Sequence, residues 1–589
     1  MSGEINGVRV EDLSPHSAPP DAGPPMQLSA AFKSCLGALQ SAALFSCIIN
    51  LLMLAGPLFM LQIYDRVLAS KSVPTLIALT ILVGTLFAFL GLFDLIRSRI
   101  AARTARRIDE QIHAPLFTAA LEHEVRRNHH GQTHPLRDLD TVRQFLSGPS
   151  LNTLFDLPWT PIYLGVIFLL HAYLGIFALV GTLLLASLVL LNDRWSSKLF
   201  RQSAESTALS HRTAEECSRN AAAIRAMGMR PAMQIRWQTT HGRALDDHIA
   251  AADRNGALSA AARTLRLFLQ SAILALGAYL AIHQEITAGT IVTASILLAR
   301  ASAPIEQGIA HWRSVVQFRA ALPRLERIFA DLDERRPRMA LPAPKGYLTV
   351  RGLIVAPPGE KKPTLRHISF SLEPGQALGV IGPTGAGKST LARALVNVWP
   401  PLGGIISIDG APFHQWDADS LGRSIGYLPQ EVELFDGTFD ENIARFDADA
   451  CADTVIHAAR LAGVHDLILG FPEGYKTRIG EAGARLSAGQ RQRIGLARAL
   501  YGNPVLVVMD EPNANLDTIG EAALSHAIRT LKKRRATVIV IAHRPSAIAS
   551  VDFILSLHDG RQFAFGPKDD VLEKLASNGI RGREPAANA

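Results

Sequence analysis

Between Asp156 and Asp193 the chain carries no charged side chain, and two more uncharged runs lie between Lys33 and Asp65 and between Lys71 and Asp94. A helix needs ~20 apolar residues to cross a bilayer. The run from Asp156 to Asp193 therefore holds two crossings, turning near His171 to Gly175, and the other two runs hold one each. Segments Leu265 to Ile282 and Thr287 to Ile305 supply a fifth and a sixth. The sixth carries Arg300 about 20 Å along its length at ~1.5 Å per residue, where a charge is costly unless it meets water or a partner. Two placements remain open at this point: Arg300 faces a lumen, or the helix is shifted and the side chain snorkels to the interface.

The net charge of +8 fits this reading. Arg97, Arg99, Arg103, Arg106 and Arg107 follow the second span, Arg194, Lys198 and Arg201 the fourth, and Arg313, Arg319 and Arg324 the sixth. Such loops face the cytoplasm beside anionic membrane lipid, and with no separate basic face no nucleic-acid partner is expected. The opposite connections, Tyr64 to Val73, His171 to Tyr173 and His283 to Ala288, are short, whereas 97 to 150 and 193 to 260 run for dozens of helix-forming residues, so the spans are expected to extend into the cytosol. Residues 1–30 are rich in Pro, Ser and Asp and lack the parts of a signal peptide, which predicts a disordered cytoplasmic tail. Cys35, Cys47, Cys217 and Cys451 are too scattered for a disulfide framework or a zinc spacing. His123, His129, His130 and His134 fit no four-ligand site and read as a solvated loop.

After Pro342-Ala-Pro-Lys-Gly346 the pattern becomes short β-rich runs alternating with helical ones. The expected fold is a polytopic α-helical membrane domain of six transmembrane helices fused to an α/β P-loop domain. Its expected boundaries are 1–30 tail, 31–330 membrane domain, 331–346 linker, 347–575 nucleotide-binding domain and 576–589 disordered tail. Ala377 to Ile381 reads as a buried strand and Lys388 to Val396 as a helix, with Gly382-Pro383-Thr384-Gly385-Ala386-Gly387-Lys388-Ser389 between and into them. In that context backbone N–H groups wrap phosphates at a helix N-terminus. Lys388 neutralises the outer phosphates and Ser389 offers its hydroxyl to Mg²⁺. Asp510 ends the apolar run Val505 to Met509, where a carboxylate holds the metal through water, and Glu511 beside it is placed to take a proton from the attacking water.

Together with Leu486-Ser-Ala-Gly-Gln490, Gln430 in Tyr427-Leu-Pro-Gln430 and His543 in Ile541-Ala-His543, these residues resemble the ATP-binding cassette transporters over nearly all of 347–570. The resemblance implies an ATPase coupled to transport, with ATP and Mg²⁺ as cofactors. It places Gln430 as a metal sensor contacting the membrane half, and His543 on the γ-phosphate beside the catalytic Glu511 and Lys388. Thr390 and Gln490 join the nucleotide contacts, and Asp517 in Asn515-Leu-Asp517 lies at a dimer seam. Ser487 and Gly489 would bind ATP held by a second subunit, so a homodimer is implied. Thr477-Arg-Ile-Gly-Glu481 looks like the exporter-type coupling segment. Ala488 departs from the usual signature glycine, and Pro357 falls where many members stack an aromatic on adenine, which predicts loose nucleotide selectivity.

The membrane half narrows the resemblance. Gly56-Pro-Leu-Phe-Met-Leu-Gln-Ile-Tyr-Asp-Arg-Val-Leu68, Leu157-Pro-Trp-Thr-Pro-Ile-Tyr163 and Asn220-Ala-Ala-Ala-Ile-Arg-Ala-Met-Gly-Met229 are similar to type I secretion exporters of the metalloprotease and lipase type. Such proteins sit in the bacterial inner membrane with cassette and both termini cytoplasmic. They join a periplasmic membrane-fusion adaptor and an outer-membrane channel protein to pass a secreted protein substrate, unfolded and bearing a C-terminal signal, out of the cell. About thirty residues before the first span are too few for the peptidase domain of related bacteriocin exporters, so leader cleavage is not expected. An exporter of lipid, glycan or small peptide is the alternative within transport. A nucleotide-gated channel or regulatory ATPase is the alternative outside it, and the presence of Glu511 argues against that one.

Overall fold

The computed structural model describes residues 28–126, 135–333, 341–360, 362–480, 483, 485–542 and 548–577. The chain divides into two compact units, one of residues 1–121 with 132–334 and one of residues 122–131 with 335–589.

Among the described residues of the first unit, six stretches are long and apolar enough to cross a membrane: Leu36–Ser70, Val73–Val125, Pro149–Leu170, Ala172–Arg219, Arg230–Ile282 and Ala288–Ala310. The main helices of this unit are α1 (Leu36–Leu52), α2 (Ala55–Gln62), α3 (Val73–Arg126), α4 (Pro135–Ser147), which lies outside the six stretches, α5 (Pro149–Asp156), α6 (Thr160–Leu170), α7 (Ala172–Arg219), α8 (Arg230–Ile282) and α9 (Ala288–Ala310), followed by α10 (Trp312–Asp333). The break at His171, which adopts extended backbone angles, separates α6 from α7 where the uncharged run was expected to turn. Helices α3, α7 and α8, of 54, 48 and 53 residues, reach ~70–80 Å at ~1.5 Å per residue, more than twice the ~30 Å hydrocarbon core.

Two details differ from expectation. The Tyr64 to Val73 connection is mostly helix: after α2 a π-helical turn, Ile63–Val67, carries the chain on to Ser70, and only left-handed Lys71 and Ser72 separate it from α3. Asp65 does not end the helix because its carboxylate is satisfied from outside, accepting from the Gly289 amide at 3.0 Å and from Thr287 Oγ1 at 2.7 Å at the start of α9. Arg97, expected among loop arginines, lies within α3 and is buried. It donates to Asp94 at 2.7 Å and to Asp156 at 3.1 Å, while Asn50 Nδ2 reaches the same Asp156 oxygen at 2.7 Å. A charge at that depth is tolerated because it is paired.

The second unit is built on one ten-stranded sheet. Its strands are β1 (Leu348–Val355), β2 (Leu365–Leu372), β3 (Ala377–Ile381), β4 (Gly403–Ile408), β5 (Ala411–Pro412), β6 (Ile425–Leu428), β7 (Leu506–Asp510), β8 (Thr537–Ile541), β9 (Phe553–His558) and β10 (Arg561–Pro567), in the order β5-β4-β1-β2-β10-β9-β3-β8-β7-β6. The run β9-β3-β8-β7-β6 is parallel throughout. Strands buried on both faces need apolar residues at every position, and here successive residues feed opposite cores. Val507, Met509, Val538 and Val540 pack on one face, and Leu506, Val508, Ile539 and Ile541 on the other. Three helices matter for the site: α11 (Lys388–Leu395), α12 (Ala488–Leu500) and α13 (Thr518–Lys533).

Candidate functional site

Ligands of open parallel sheets bind beyond the carboxyl ends of the strands. In this unit those ends carry the expected residues: Gly382 follows β3, Gln430 lies just past β6, and Asp510 and Glu511 finish and follow β7. The register aligns them, since Val380 and Asp510 both pair with Ile541 of β8. His543, two residues beyond Ile541, lies outside the described residues, as do Glu481, His129, His130 and His134.

The glycine loop needs its glycines at specific atoms. Gly385 has φ +82°, and Gly387, the residue before α11, has φ +93° with space for a Cβ closed off by Leu365 Cδ2 at 2.6 Å. Thr384 and Gly385 are exposed on the loop, while Ala386 and Thr390 turn inward and seat it. Lys388 is buried, and its ammonium donates to the carbonyls of Gly382 at 2.9 Å and Pro383 at 3.0 Å, folding it over the mouth of its own loop. Burial pushes its pKa below the usual lysine value, and the Glu511 and Asp510 carboxylates oppose that shift. The arrangement is a nest of N–H groups with one cation above it, which suits polyphosphate.

Asp510 is 2% exposed, and its Oδ1 has no hydrogen-bond partner. The Ser389 hydroxyl lies beside this carboxyl group. Burial raises the Asp510 pKa from its ordinary value, the Ser389 hydroxyl opposes that shift, and the neighbouring Glu511 charge adds to it. An orphaned buried carboxylate oxygen beside a hydroxyl is an oxygen donor set of the kind a small hard cation takes, so the residues fit Mg²⁺. Among the described residues no cluster of three or more His, Cys, Asp or Glu offers a rival metal site.

Glu511 adopts a left-handed backbone, φ +50°, which is uncommon for a residue with a side chain. Its amide donates to the Ile541 carbonyl at 2.9 Å, and its Oε2 accepts from Gln430 Nε2 at 3.1 Å. The kink turns the carboxylate out of the strand toward Gln430. Sequence reasoning missed this conformation, for which no residue type gives a signal. It also missed Arg393, whose charge acts on Asp510 and Tyr427 and which lies 4.6 Å from the Trp399 ring centroid. Here a signal existed, because Ser389 and Arg393 are four residues apart on one helix and share a face.

The signature residues form a separate group. Ser487 caps α12, accepting from the Gln490 amide at 3.2 Å, and the Gln490 side chain accepts from the Ser487 amide at 2.9 Å. Gln490, expected among the nucleotide contacts, thus has its side-chain oxygen committed to the cap. Ser487 and Ala488 are exposed, and a Cβ on Gly489 would meet the Asn515 carbonyl at 2.6 Å, so glycine lets α12 approach that loop. Asp517 caps α13 through the Gly520 amide at 2.8 Å and lies 4.0 Å from Arg493 on α12. No described hydrogen bond or ion pair joins Ser487–Gln490 to Gly382–Ser389. The Pro357 carbonyl accepts from Glu360 in a turn after β1, and no aromatic lies between Val355 and Pro358.

Residues 365–514 match the ABC transporter family, and residues 41–304 match the ABC transporter transmembrane region. The type I secretion system ATP-binding protein PrsD of Rhizobium meliloti is 44% identical over 548 residues, covering 93% of this chain and 94% of that one. The cyclolysin secretion/processing ATP-binding protein CyaB of Bordetella pertussis is 30% identical, covering 93% of this chain and 77% of its own. The leukotoxin translocation ATP-binding protein LktB of Mannheimia haemolytica is 28% identical, with 91% and 76% covered. Among solved structures, a bacterial Atm1-family ABC exporter with ATP bound superposes with a TM-score of 0.76 at 24% identity, covering 94% of this chain and all of that one, a likeness of fold.

Proposed function

The chain belongs to the ABC transporter family, and from that premise we propose how its residues drive protein export by type I secretion. It is a multi-pass membrane exporter whose ATPase is coupled to transport. The observation that carries the cargo class is the 44% identity to PrsD over 93% of the chain, because cassette motifs are indifferent to what is moved and the likeness includes the membrane half.

In the proposed mechanism, the loop Gly382 to Ser389 and the Thr390 turn bind the phosphates of ATP through backbone N–H groups, and Lys388 leaves its loop carbonyls to meet the outer phosphates. Ser389, Asp510 and Gln430 would hold Mg²⁺, which when bound neutralises developing phosphate charge. Glu511, aimed by its left-handed backbone and held by Gln430, accepts a proton from the attacking water. His543 is assigned to the γ-phosphate by motif. The exposed Ser487 and the half-buried Gly489 serve a nucleotide on a second copy of the chain, with Asp517 near the seam, so two cassettes close around two ATPs. Closure moves the long helices as rigid rods.

The cassette and the arginine-rich helix ends are assigned to the cytoplasm of a bacterial inner membrane. A periplasmic adaptor and an outer-membrane channel complete the route for an unfolded protein carrying a C-terminal signal. Cells making this chain with a candidate adaptor, channel and cargo test the reading. Cargo should appear in the medium only when Glu511 is intact, and cargo retained in wild-type cells with all components present would refute it.

A further inference from the structure

Arg300 lies 12 residues past the start of α9 at Ala288, ~18 Å along it, with ~15 Å remaining to Ala310. It therefore lies within the helix and not at either of its ends. The span is the most enclosed of the six: 61% of its apolar window is buried inside the protein, against 33% for the next.

What α9 leaves exposed has a different chemistry from the other spans. Those expose large apolar side chains suited to lipid, among them Leu44, Phe89, Phe168, Leu183 and Phe268. On α9 the exposed residues are Ala288, Arg300, Gln307 and Ala310, with no large hydrophobic. Arg300 and Gln307 are two turns apart and share one face, with the half-buried Ala303 between them. A polar strip of this kind on an otherwise enclosed span faces water.

The arginine is also short of partners. Arg97 is neutralised by Asp94 and Asp156, and Arg266 by Glu306 at 2.6 Å. Among the described residues Arg300 makes one hydrogen bond, to Met53 Sδ at 3.6 Å, a weak acceptor. Asp156 is already engaged by Ser46, Asn50 and Arg97. A guanidinium with free donors within this span requires an anion that comes and goes, or permanent water.

We propose that Arg300 lines the path of the exported polypeptide and transiently binds the carboxylates of its aspartate and glutamate side chains, the strip through Ala303 to Gln307 forming a contact for acidic, extended chain. The inference rests on the protein-export reading. Protein cargo supplies carboxylates as its anions, a guanidinium grips them in bidentate fashion, and small flanking residues leave room for main chain to pass.

The test uses the full-length protein in nanodiscs and three unstructured Gly/Ser peptides of equal length carrying Asp, Asn or Lys at the same positions, with binding read by fluorescence anisotropy and ATP turnover recorded alongside. The wild type should favour the Asp peptide over the Asn peptide. Arg300→Gln should weaken Asp-peptide binding roughly tenfold, and Arg300→Lys, which keeps the charge but loses the bidentate fork, should weaken it by less. Binding of the Asn peptide should be equal in all three proteins, so a folding defect, which would weaken both, is distinguishable. Equal affinity of the wild type for Asp and Asn peptides overturns this inference and leaves protein export standing. If no peptide binds the wild type, this inference falls, while the export reading stands or falls by the secretion of cargo into the medium. If Arg300→Gln keeps its preference for Asp peptide but turns monomeric by light scattering, Arg300 pairs with a second copy and the inference is wrong.

Discussion

Replacing Glu511 with Gln separates nucleotide binding from chemistry at a single atom. The substitution keeps the size of the side chain and its hydrogen-bonding oxygen, so the 3.1 Å contact from Gln430 Nε2 survives, as does the backbone bond to Ile541. Only the ability to take a proton is lost. A positioned general base contributes ~10²–10⁴-fold, equivalent to ~2.7–5.4 kcal/mol at ~1.36 kcal/mol per tenfold. Replacing Gln430 with Ala instead leaves the base but removes its hydrogen bond, worth about fivefold at ~1 kcal/mol, together with one candidate Mg²⁺ oxygen. The assay is single-turnover phosphate release by the full-length protein at saturating ATP, with nucleotide affinity measured in parallel. E511Q should bind ATP as the wild type does and hydrolyse it at least ~100-fold more slowly. Residual hydrolysis by E511Q within tenfold of wild type would refute the assignment of the base.

Lys388→Ala removes the cation folded over the glycine loop, so ATP affinity itself should fall by ~10-fold or more, as expected for a lost charge-assisted contact, and equilibrium binding checks it. The raised pKa of Asp510 makes the folded cassette hold a proton that the unfolded chain has released. In EDTA, stability should therefore fall as pH rises from the ordinary carboxylate value through the raised one, and then level off. Asp510→Asn should flatten that dependence and reduce the extra thermal stabilisation that Mg²⁺ adds to ATP, both visible in melting curves. Arg97→Met leaves Asp156 with only the Ser46 and Asn50 donors and should cost ~3–5 kcal/mol. Adding Asp156→Asn should recover part of that loss, as measured by denaturant unfolding in detergent.

The spans were legible because lipid imposes a rule on composition, and the phosphate loop because its backbone needs glycine whatever the rest of the fold does. Residues whose behaviour depends on a distant neighbour were not. Asp65 read as the end of a span, yet the amide of Gly289, more than two hundred residues away in sequence, satisfies it and the helix continues. Arg97 read as one of a row of loop arginines, and only the packing of α1, α3 and α5 reveals Asp156 beside it. Gln490 carries a motif identity, but its side chain serves a capping box whose spacing, Ser487 to Gln490, was present in the sequence and overlooked. The left-handed backbone at Glu511 follows from the bond its amide makes to Ile541 on the neighbouring strand, a pairing that no local pattern encodes.

Coupling of ATP hydrolysis at Glu511 to polypeptide movement is tested most directly in sealed vesicles containing the purified protein with its cassettes outward, by following the entry of a labelled unfolded polypeptide. Protease-protected label should accumulate with Mg²⁺ and ATP, and fail to do so with E511Q. Equal accumulation by wild type and E511Q, or vigorous wild-type hydrolysis without any protected label when a secretion-competent cargo is supplied, would contradict it.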